Sequence, residues 1–277
     1  MINAQMTGKN LFSVFGGVPE AVVVRSDRLR AQGPFLHAIL AGTVGAVCVP
    51  LMLGIWRIYP RYAKVGVAAG LTMVVTCSSS GPIMTVLASV FGLILWRWRH
   101  LTSQLRIAAV IGYIFLNLVM KDSAYYLIAR IDLTGGSTGW HRAYLIEQAI
   151  AHLGEWWLAG TDFTRHWMPT GVSWNTDHSD ITNQYIAYGV TGGLPLMCLF
   201  IAAIFVAFRY VGRILDQGGD GDDRGDWITW TLGVCLFSHA ASCVSVAYFD
   251  QSFLFLYLSL ALIGSLYAAT CEQARTC

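Results

Sequence analysis

The side chains best suited to chemistry in this 277-residue chain are concentrated in one polar segment, residues 121–183. The segment holds four of the seven histidines and seven acidic residues, whereas the sequence on either side consists of apolar runs. Its basic and imidazole side chains are Lys121, Arg130, His141, Arg142, His152, Arg165, His166 and His178. Arginine binds phosphate through a fixed planar fork, and histidine exchanges a proton near neutral pH. We therefore interpret the segment as a loop that carries a site.

A second group of cations lies near the start of the chain. Arg25, Arg28 and Arg30 precede a long apolar run that begins near His37. This order places the guanidinium groups at the level of membrane headgroups, where they suit a lipid diphosphate. The alternative is that these arginines anchor the ends of helices at the membrane interface.

The composition indicates a polytopic membrane protein. Hydrophobic residues make up 55% of the chain and charged residues only 12%, with a mean hydropathy of +0.54; a soluble domain carries about 25% charge. The balance of 18 basic and 16 acidic residues gives no sign of a nucleic-acid partner. The cysteines fall mostly inside apolar runs, which favours buried apolar roles. Neither GxxxxGK[ST] nor HExxH occurs, and we expect no metal and no other cofactor.

The apolar runs predict an all-α bundle of about seven transmembrane helices. A bilayer core needs roughly 20 apolar residues as helix. The runs that meet or nearly meet this length cover residues 37–56, 62–78, 81–96, 106–121, 184–208, 227–247 and 252–271. We expect residues 1–277 to form a single integral membrane domain, with residues 121–183 as a large loop within it.

The charges of the short loops predict the orientation in the cytoplasmic (inner) membrane. The basic loops carry Arg57, Arg61 and Lys64, then Arg97, Arg99 and Arg106, then Arg209 and Arg213. The alternate turns, Ser78–Ser80 and Tyr248–Gln251, contain no lysine or arginine. Because basic loops stay in the cytoplasm, the loop 121–183 is predicted to be extracytoplasmic. An odd number of spans then leaves the N-terminus outside. Either a signal is missed or the chain is the C-terminal part of a longer protein, and we favour the second interpretation.

Two kinds of pattern occur inside the loop. Residues 143–159 have helical periodicity, with Leu145, Ala149, Leu153 and Trp156 on one stripe. This stripe predicts an interfacial helix that rests on the membrane or on the bundle. Residues 161–180 have no periodicity and are predicted to form a loop over the site.

The junction between this loop and the fifth apolar run carries a spaced motif. His178-Ser179 is followed after nine residues by Gly189-Val190-Thr191-Gly192, which fits the pattern H[NSQ]x9GxxG. The pattern resembles the motif of the O-antigen ligase and polymerase superfamily, membrane glycosyltransferases that act on undecaprenyl-diphosphate-linked glycans. Further similar stretches are Arg30-x-x-Gly33-x-Phe35, Ser78–Gly81, and Asp132 to Gly135 continuing to Trp140 and Arg142. The resemblance covers residues 25–271, which match the family's C-terminal half.

The sequence departs from the family pattern at two places. Many members have an arginine where Gly136 stands, so the loop arginine would here be Arg142. Thr182-Asn183-Gln184-Tyr185 also competes with His178-Ser179 for the family's HN-x-Y position. In that register Thr182 replaces the histidine.

The resemblance implies transfer of a glycan from a polyprenyl-diphosphate donor to a glycan or lipid-core acceptor among membrane lipids, with no metal. Arg30 and Arg142, with Arg28, would stabilise the diphosphate leaving group, and His178 would accept the proton of the acceptor hydroxyl. Asp177 or Asp180 would orient His178 or act as the base instead. Arg165 and His141 are further candidates for substrate binding. The structural alternative for His178 is a helix-start residue bonded to backbone.

A competing interpretation is a non-enzymatic transporter or a carrier of lipid-linked glycan. Transporters place polar groups near the middle of the membrane. Asn117 and His239 are the clearest polar candidates within the apolar runs. A third interpretation is a shortened and inactive member of the family.

Overall fold

The structure, a computed structural model, describes residues 1–25, 27–130, 139–172, 174–217 and 223–276. These residues are mostly helical, in agreement with the predicted helical class. The helices are α1 (Ile2–Thr7), α2 (Ala38–Gly54), α3 (Pro60–Thr76), α4 (Ser80–Ile94), α5 (Thr102–Val119), α6 (Leu127–Arg130), α7 (Gly139–Ala151), α8 (Leu153–Trp156), α9 (Gln184–Gln217), α10 (Asp223–Cys243) and α11 (Ser252–Thr276). Short 3₁₀ helices cover Leu11–Phe15, Leu95–Leu101, Ala124–Tyr126 and Arg165–Trp167. Two antiparallel hairpins pair β1 (Val23–Arg25) with β2 (Arg28–Arg30), and β3 (Gly171–Val172) with β4 (Asn175–Ser179).

Within these described residues, three helical stretches are long and apolar enough to cross a membrane. They are Ser80–Val119, Gln184–Gln217 and Ser252–Gln273. They are compatible with membrane insertion, as the composition predicts. The prediction of about seven spans is wrong by this measure.

Each predicted span that is not among these three stretches has a physical reason for its absence. Helices α2 and α3 have 17 residues each, at the short end of the roughly 17 to 25 that span a bilayer core. Helix α3 also carries Arg61 and Lys64. The runs 81–96 and 106–121 belong to one 40-residue helical stretch. Helix α10 carries polar side chains that the fold buries, among them Thr229, Thr231, Ser238, His239 and Ser242. The predicted side of each loop stays a prediction.

The chain divides into two compact units, Met1–Leu93 with Cys198–Cys277, and Ile94–Met197. We call the first the bundle unit and the second the loop unit. In the bundle unit, α2 packs on α3 and α10. A Cβ at Gly45 or at Gly70 would lie 2.7 Å from the carbonyl oxygen of the other glycine. Only small residues allow backbones to approach so closely.

The core of the loop unit contains most of the residues of the predicted stripe. Leu145, Ala149 and Trp156 are buried and pack with Trp167, Met168 and Ile186. Leu153, by contrast, is 39% exposed. The predicted single helix is broken at His152, whose φ of −98° and ψ of 19° are not helical. Leu153 directly follows this break, whereas Trp156 at the end of α8 stays in the core.

Helix α5 exposes its apolar side chains. None of its residues, all of which the structure describes, is buried. Ile111, Phe115 and Leu118 are 60%, 61% and 79% exposed. An apolar surface of this kind is compatible with contact to lipid.

Candidate functional site

The first turn of α7 lies against the end of β4. The Nε2 atom of His141 is 3.1 Å from the carbonyl oxygen of Asp180. Because a carbonyl only accepts, the imidazole donates this hydrogen bond. The neighbouring Arg142 is buried, with 8% of its surface exposed. The fold thus brings the first turn of the loop helix, which carries the predicted arginine, against the segment that follows His178.

His178 lies in β4, on a strand held by a buried threonine. The hydroxyl of Thr164 accepts from the backbone N–H of Ser179 at 3.0 Å, and the N–H of Thr164 donates to the carbonyl of Asp177 at 2.9 Å. His178 is half-buried, and its imidazole has no hydrogen-bond partner within the described residues. The helix-start interpretation of His178 is therefore wrong. The roles of the exposed Asp177 and Asp180 as orienting group or base stay predictions.

The start of α9 is capped by a different residue. The Oδ1 atom of Asn183 accepts from the N–H groups of Tyr185 at 2.9 Å and Ile186 at 3.1 Å. The hydroxyl of Thr182 is buried and has no partner among the residues that the structure describes. Both His178 and Thr182 remain candidates for the position of the family histidine.

The glycines after His178 pack closely against α8 and the chain that follows it. A Cβ at Gly189 would lie 2.5 Å from Cζ3 of Trp156, and one at Gly193 would lie 2.4 Å from the carbonyl oxygen of Leu158. Gly193 also has a φ of +71°, which side chains with a Cβ rarely adopt. The N–H of Thr161 donates to the carbonyl of Val190 at 2.8 Å. The glycine-rich turn thus fixes where the loop joins α9.

Arg165 is bound to its own loop. Its Nη1 donates to the carbonyl of Met168 at 2.8 Å, and its Nη2 donates to that of Pro169 at 3.4 Å. A Cβ at Gly171 would lie 2.8 Å from the Arg165 side chain. Through these contacts Arg165 stabilises the turn before β3. Its role in substrate binding stays a prediction.

The arginines of the bundle unit share a hairpin face. In the β1–β2 register, Arg25 is opposite Arg28 and Val23 is opposite Arg30. Directly opposed residues of an antiparallel pair lie on one face, as do residues two apart in a strand. The three guanidinium groups are therefore on the same face, where like charges repel one another. Such an arrangement favours a bound anion.

Arg30 is buried at the end of α3. It is 6% exposed, and its Nε donates to the carbonyl of Cys77 at 3.4 Å, at the C-terminal end of that helix. Burial lowers the pKa of Arg30, and the nearby Arg25 lowers it further. A cation is favourable at a helix C-terminus, so the anchoring alternative has support at this residue.

The rest of the Arg30-x-x-Gly33-x-Phe35 stretch is also built into the fold. Gly33 has a φ of +59°, and its carbonyl accepts from the side chain of Asn10 at 2.8 Å. Phe35 is buried. Gln32 is 1% exposed, and its Nε2 has no partner among the described parts of the chain. A buried donor therefore lies two residues after Arg30.

The loop unit contains a cluster that sequence reasoning missed. The side chains of His152, Glu155 and His166 place their potential ligand atoms within 4.8 Å of one another. Burial would raise the pKa of Glu155, but hydrogen bonds from Trp167 and His166 outweigh it and hold the pKa below its ordinary value. The spacing His152-x-x-Glu155 on a helix is the signal that predicts part of this cluster.

The described residues divide the predicted site between the two units. Arg28 and Arg30 belong to the bundle unit, and His141, Arg142, Arg165, Asp177, His178 and Asp180 belong to the loop unit. The stretch 132–136 of the family resemblance lies outside the described residues. Comparison of the chain with protein-family models, curated proteins and solved structures finds no match.

Proposed function

We propose that this protein transfers a glycan from a polyprenyl-diphosphate donor to a sugar hydroxyl of an acceptor at the outer face of the cytoplasmic membrane. The reaction would serve surface or exopolysaccharide synthesis, as in the O-antigen ligase and polymerase superfamily. The observation that carries the proposal is the hydrogen bond from His141 to Asp180. It joins the Arg142 turn to the strand of His178, two parts of the loop that the resemblance selects independently.

The donor would be bound by guanidinium groups. Arg142 of the loop unit supplies a planar fork that matches diphosphate oxygens. Arg28 and Arg30 of the bundle unit are proposed from the resemblance alone. Negative charge grows on the bridging oxygen as the glycosidic bond to the diphosphate breaks. Each preorganised donor aimed at this charge contributes about 3 to 4 kcal/mol to lowering the barrier. The exposed apolar surface of α5 is compatible with contact to the lipid tail of the donor.

The acceptor would be activated by His178. Its imidazole, which has no partner within the described residues, takes the proton of the acceptor hydroxyl. The acceptor oxygen forms its bond to the anomeric carbon while the bond from that carbon to the diphosphate oxygen breaks. The polyprenyl diphosphate leaves with the electron pair of the broken bond.

The proposal is tested in a strain that lacks the protein. Loss of a transferase leaves lipid-linked glycan on the outer leaflet of the membrane. Wild-type protein should clear this material, whereas Arg30→Ala, Arg142→Ala and His178→Ala should not. Arg99→Ala and His100→Ala are matched controls, because both residues are exposed on the 3₁₀ helix Leu95–Leu101 outside the motifs. If all three site variants insert in the membrane and clear the glycan like wild type, the proposal is wrong.

The same strain tests the transporter or carrier alternative. The observation that favours this alternative is a buried polar pair in the bundle unit. Nδ1 of His239, which is 1% exposed, lies 2.9 Å from the hydroxyl of Tyr248. Ionisable groups inside apolar helices often mark a transport pathway. Lipid-linked glycan that accumulates on the inner leaflet would support transport and contradict the transferase.

A further inference from the structure

The cluster of His152, Glu155 and His166 has the composition of a metal site. His152 lies at the junction of α7 and α8, Glu155 lies in α8, and His166 lies in the 3₁₀ helix Arg165–Trp167. Each side chain offers one nitrogen or oxygen ligand, and these atoms lie within 4.8 Å of one another. None of the three residues takes part in the transfer site proposed above.

The imidazole of His152 is already oriented for binding. Its Nδ1 is 2.9 Å from the carbonyl oxygen of Gln148. Because the carbonyl accepts, Nδ1 carries the proton and Nε2 keeps its lone pair. Metal-binding histidines are commonly fixed in this way by a backbone carbonyl behind the ring.

The other two ligands are held by aromatic neighbours. The Nε1 of Trp167, which is 1% exposed, donates to Oε2 of Glu155 at 3.1 Å. The ring of His166 stacks on Phe163 with centroids 5.1 Å apart and meets the edge of His152 at 4.8 Å. Nε2 of His166 lies 3.0 Å from the Glu155 carboxylate and donates to it, so zinc binds at this nitrogen with release of the proton. Ligand atoms of a tetrahedral zinc site with bonds of about 2.0 Å lie about 3.3 Å apart. The ligand atoms of the cluster lie within 4.8 Å of one another, so they need to approach by at most about 1.5 Å.

We propose that Nε2 of His152, the carboxylate of Glu155 and Nε2 of His166 bind Zn²⁺, with the fourth position open to water. Two imidazoles and one carboxylate are a ligand set that zinc prefers. Magnesium and calcium prefer oxygen ligands throughout. Three protein ligands leave a coordination position that a solvent molecule or an anionic group can occupy.

Bound zinc would fix the strand that carries His178. Thr164, two residues before His166, hydrogen-bonds to Ser179 and Asp177. A metal bridge from the α7–α8 junction to His166 therefore restrains the attachment of β4 at Thr164. The expected consequence is a more heat-stable loop unit, whether or not the protein transfers glycans.

The test is zinc binding by the purified full chain in detergent, stripped of metal and titrated against a chromophoric chelator. We expect one high-affinity Zn²⁺ per chain, and His152→Ala, His166→Ala and Glu155→Gln should each weaken it by about 100-fold. Trp167→Phe removes the hydrogen bond to Glu155 together with part of a buried ring. It should weaken binding by about 10-fold, in the range seen when residues that support metal ligands are changed. His100→Ala and Asp162→Asn, at exposed positions of the same unit, should bind like wild type.

Two readouts separate the site from other binding. Zinc should raise the midpoint of thermal denaturation of wild type and of both controls, but not of the three ligand variants. The cysteines stay in every variant, so binding through thiols would survive the substitutions. Wild type that binds no zinc, or ligand variants that are folded by size-exclusion chromatography and bind it as tightly as wild type, would overturn the proposal.

Discussion

The imidazole of His141 donates a hydrogen bond to the carbonyl oxygen of Asp180 over 3.1 Å. This bond connects residues 39 positions apart and holds the first turn of α7 at the end of β4. Arg142 follows His141 directly, and His178 lies two residues before Asp180. The proposed phosphate-binding cation and the proposed base therefore come from segments that the fold holds together in the loop unit.

Replacement of Arg142 by lysine tests whether a planar fork is needed. Lysine keeps the positive charge but offers a single ammonium group, which cannot make two parallel bonds to a diphosphate. We expect glycan transfer to fall by about 100-fold or more, the usual effect of removing a transition-state donor. The measurement is the rate of transfer with membranes that contain equal amounts of protein.

The matched control for this change is Arg99→Lys. The guanidinium of Arg99 lies 4.1 Å from the ring centroid of Trp96, on an exposed 3₁₀ helix outside the motifs. Its variant should transfer at the wild-type rate. Equal rates for Arg142→Lys and wild type would show that Arg142 makes no two-pronged contact with the donor.

Replacement of Gly189 by alanine tests the packing role of the glycine motif. The added methyl would lie 2.5 Å from the ring of Trp156. Overpacking of this kind costs about 1 to 3 kcal/mol, so the thermal denaturation midpoint should fall. At Gly154 nothing lies within 4 Å of a new Cβ, and alanine there should leave the midpoint unchanged or raise it. A midpoint for Gly189→Ala at or above that of Gly154→Ala would refute the contact.

The core of the loop unit was predictable from sequence because its residues repeat with the helical period. Leu145, Ala149 and Trp156 follow that period and are buried. Leu153 follows it too, yet it is exposed, and it directly follows the point where the chain leaves helical geometry, at His152. A backbone break of this kind has no clear mark in residue type, since histidine is tolerated both inside helices and at their ends.

The candidate sites were predictable only in part. The spacing of His178 and Gly189 marks one segment, but the contact from His141 to Asp180 depends on how the loop folds back. Likewise, His152 and Glu155 are three residues apart at the junction of α7 and α8, while His166 reaches them through a turn that has no periodicity. Length and charge both decide the spans, since α2 is apolar but contains 17 residues, and α3, of the same length, carries Arg61 and Lys64.

Replacement of Asn183 by alanine tests the cap of α9. The side-chain Oδ1 of Asn183 accepts from the N–H groups of Tyr185 and Ile186. Loss of an N-cap costs about 0.5 to 2 kcal/mol, so the helix start should exchange its amide hydrogens faster. Asn183→Asp keeps an acceptor and should protect these amides like wild type. If the alanine variant also retains full protection, the cap does not stabilise the helix.

The pair of Tyr126 and Glu147 predicts that the free energy of unfolding falls at alkaline pH. The hydroxyl of Tyr126 donates to the Glu147 carboxylate, and this bond, with smaller effects of burial and nearby charge, raises the pKa of Tyr126 to about 12. The pKa in the unfolded chain is about 10. The stabilisation is therefore fully present below pH about 10 and is lost as pH rises through about 12.

Ultraviolet titration of the phenolate measures this pair. The difference between wild type and Tyr126→Phe should show one tyrosine that ionises near pH 12. Glu147→Gln removes the carboxylate, and the same tyrosine should then ionise at lower pH. An unchanged titration in Glu147→Gln would contradict the assigned cause.

The most direct test of glycan transfer uses the purified protein and the lipid-linked glycan that accumulates in the strain without it. Wild-type protein in lipid vesicles, supplied with donor and acceptor, should release one polyprenyl diphosphate for each glycan joined to the acceptor. Arg142→Ala and His178→Ala should release little, and His100→Ala should match wild type. Donor that stays intact with wild-type protein, or that is consumed equally by all four proteins, would contradict the account.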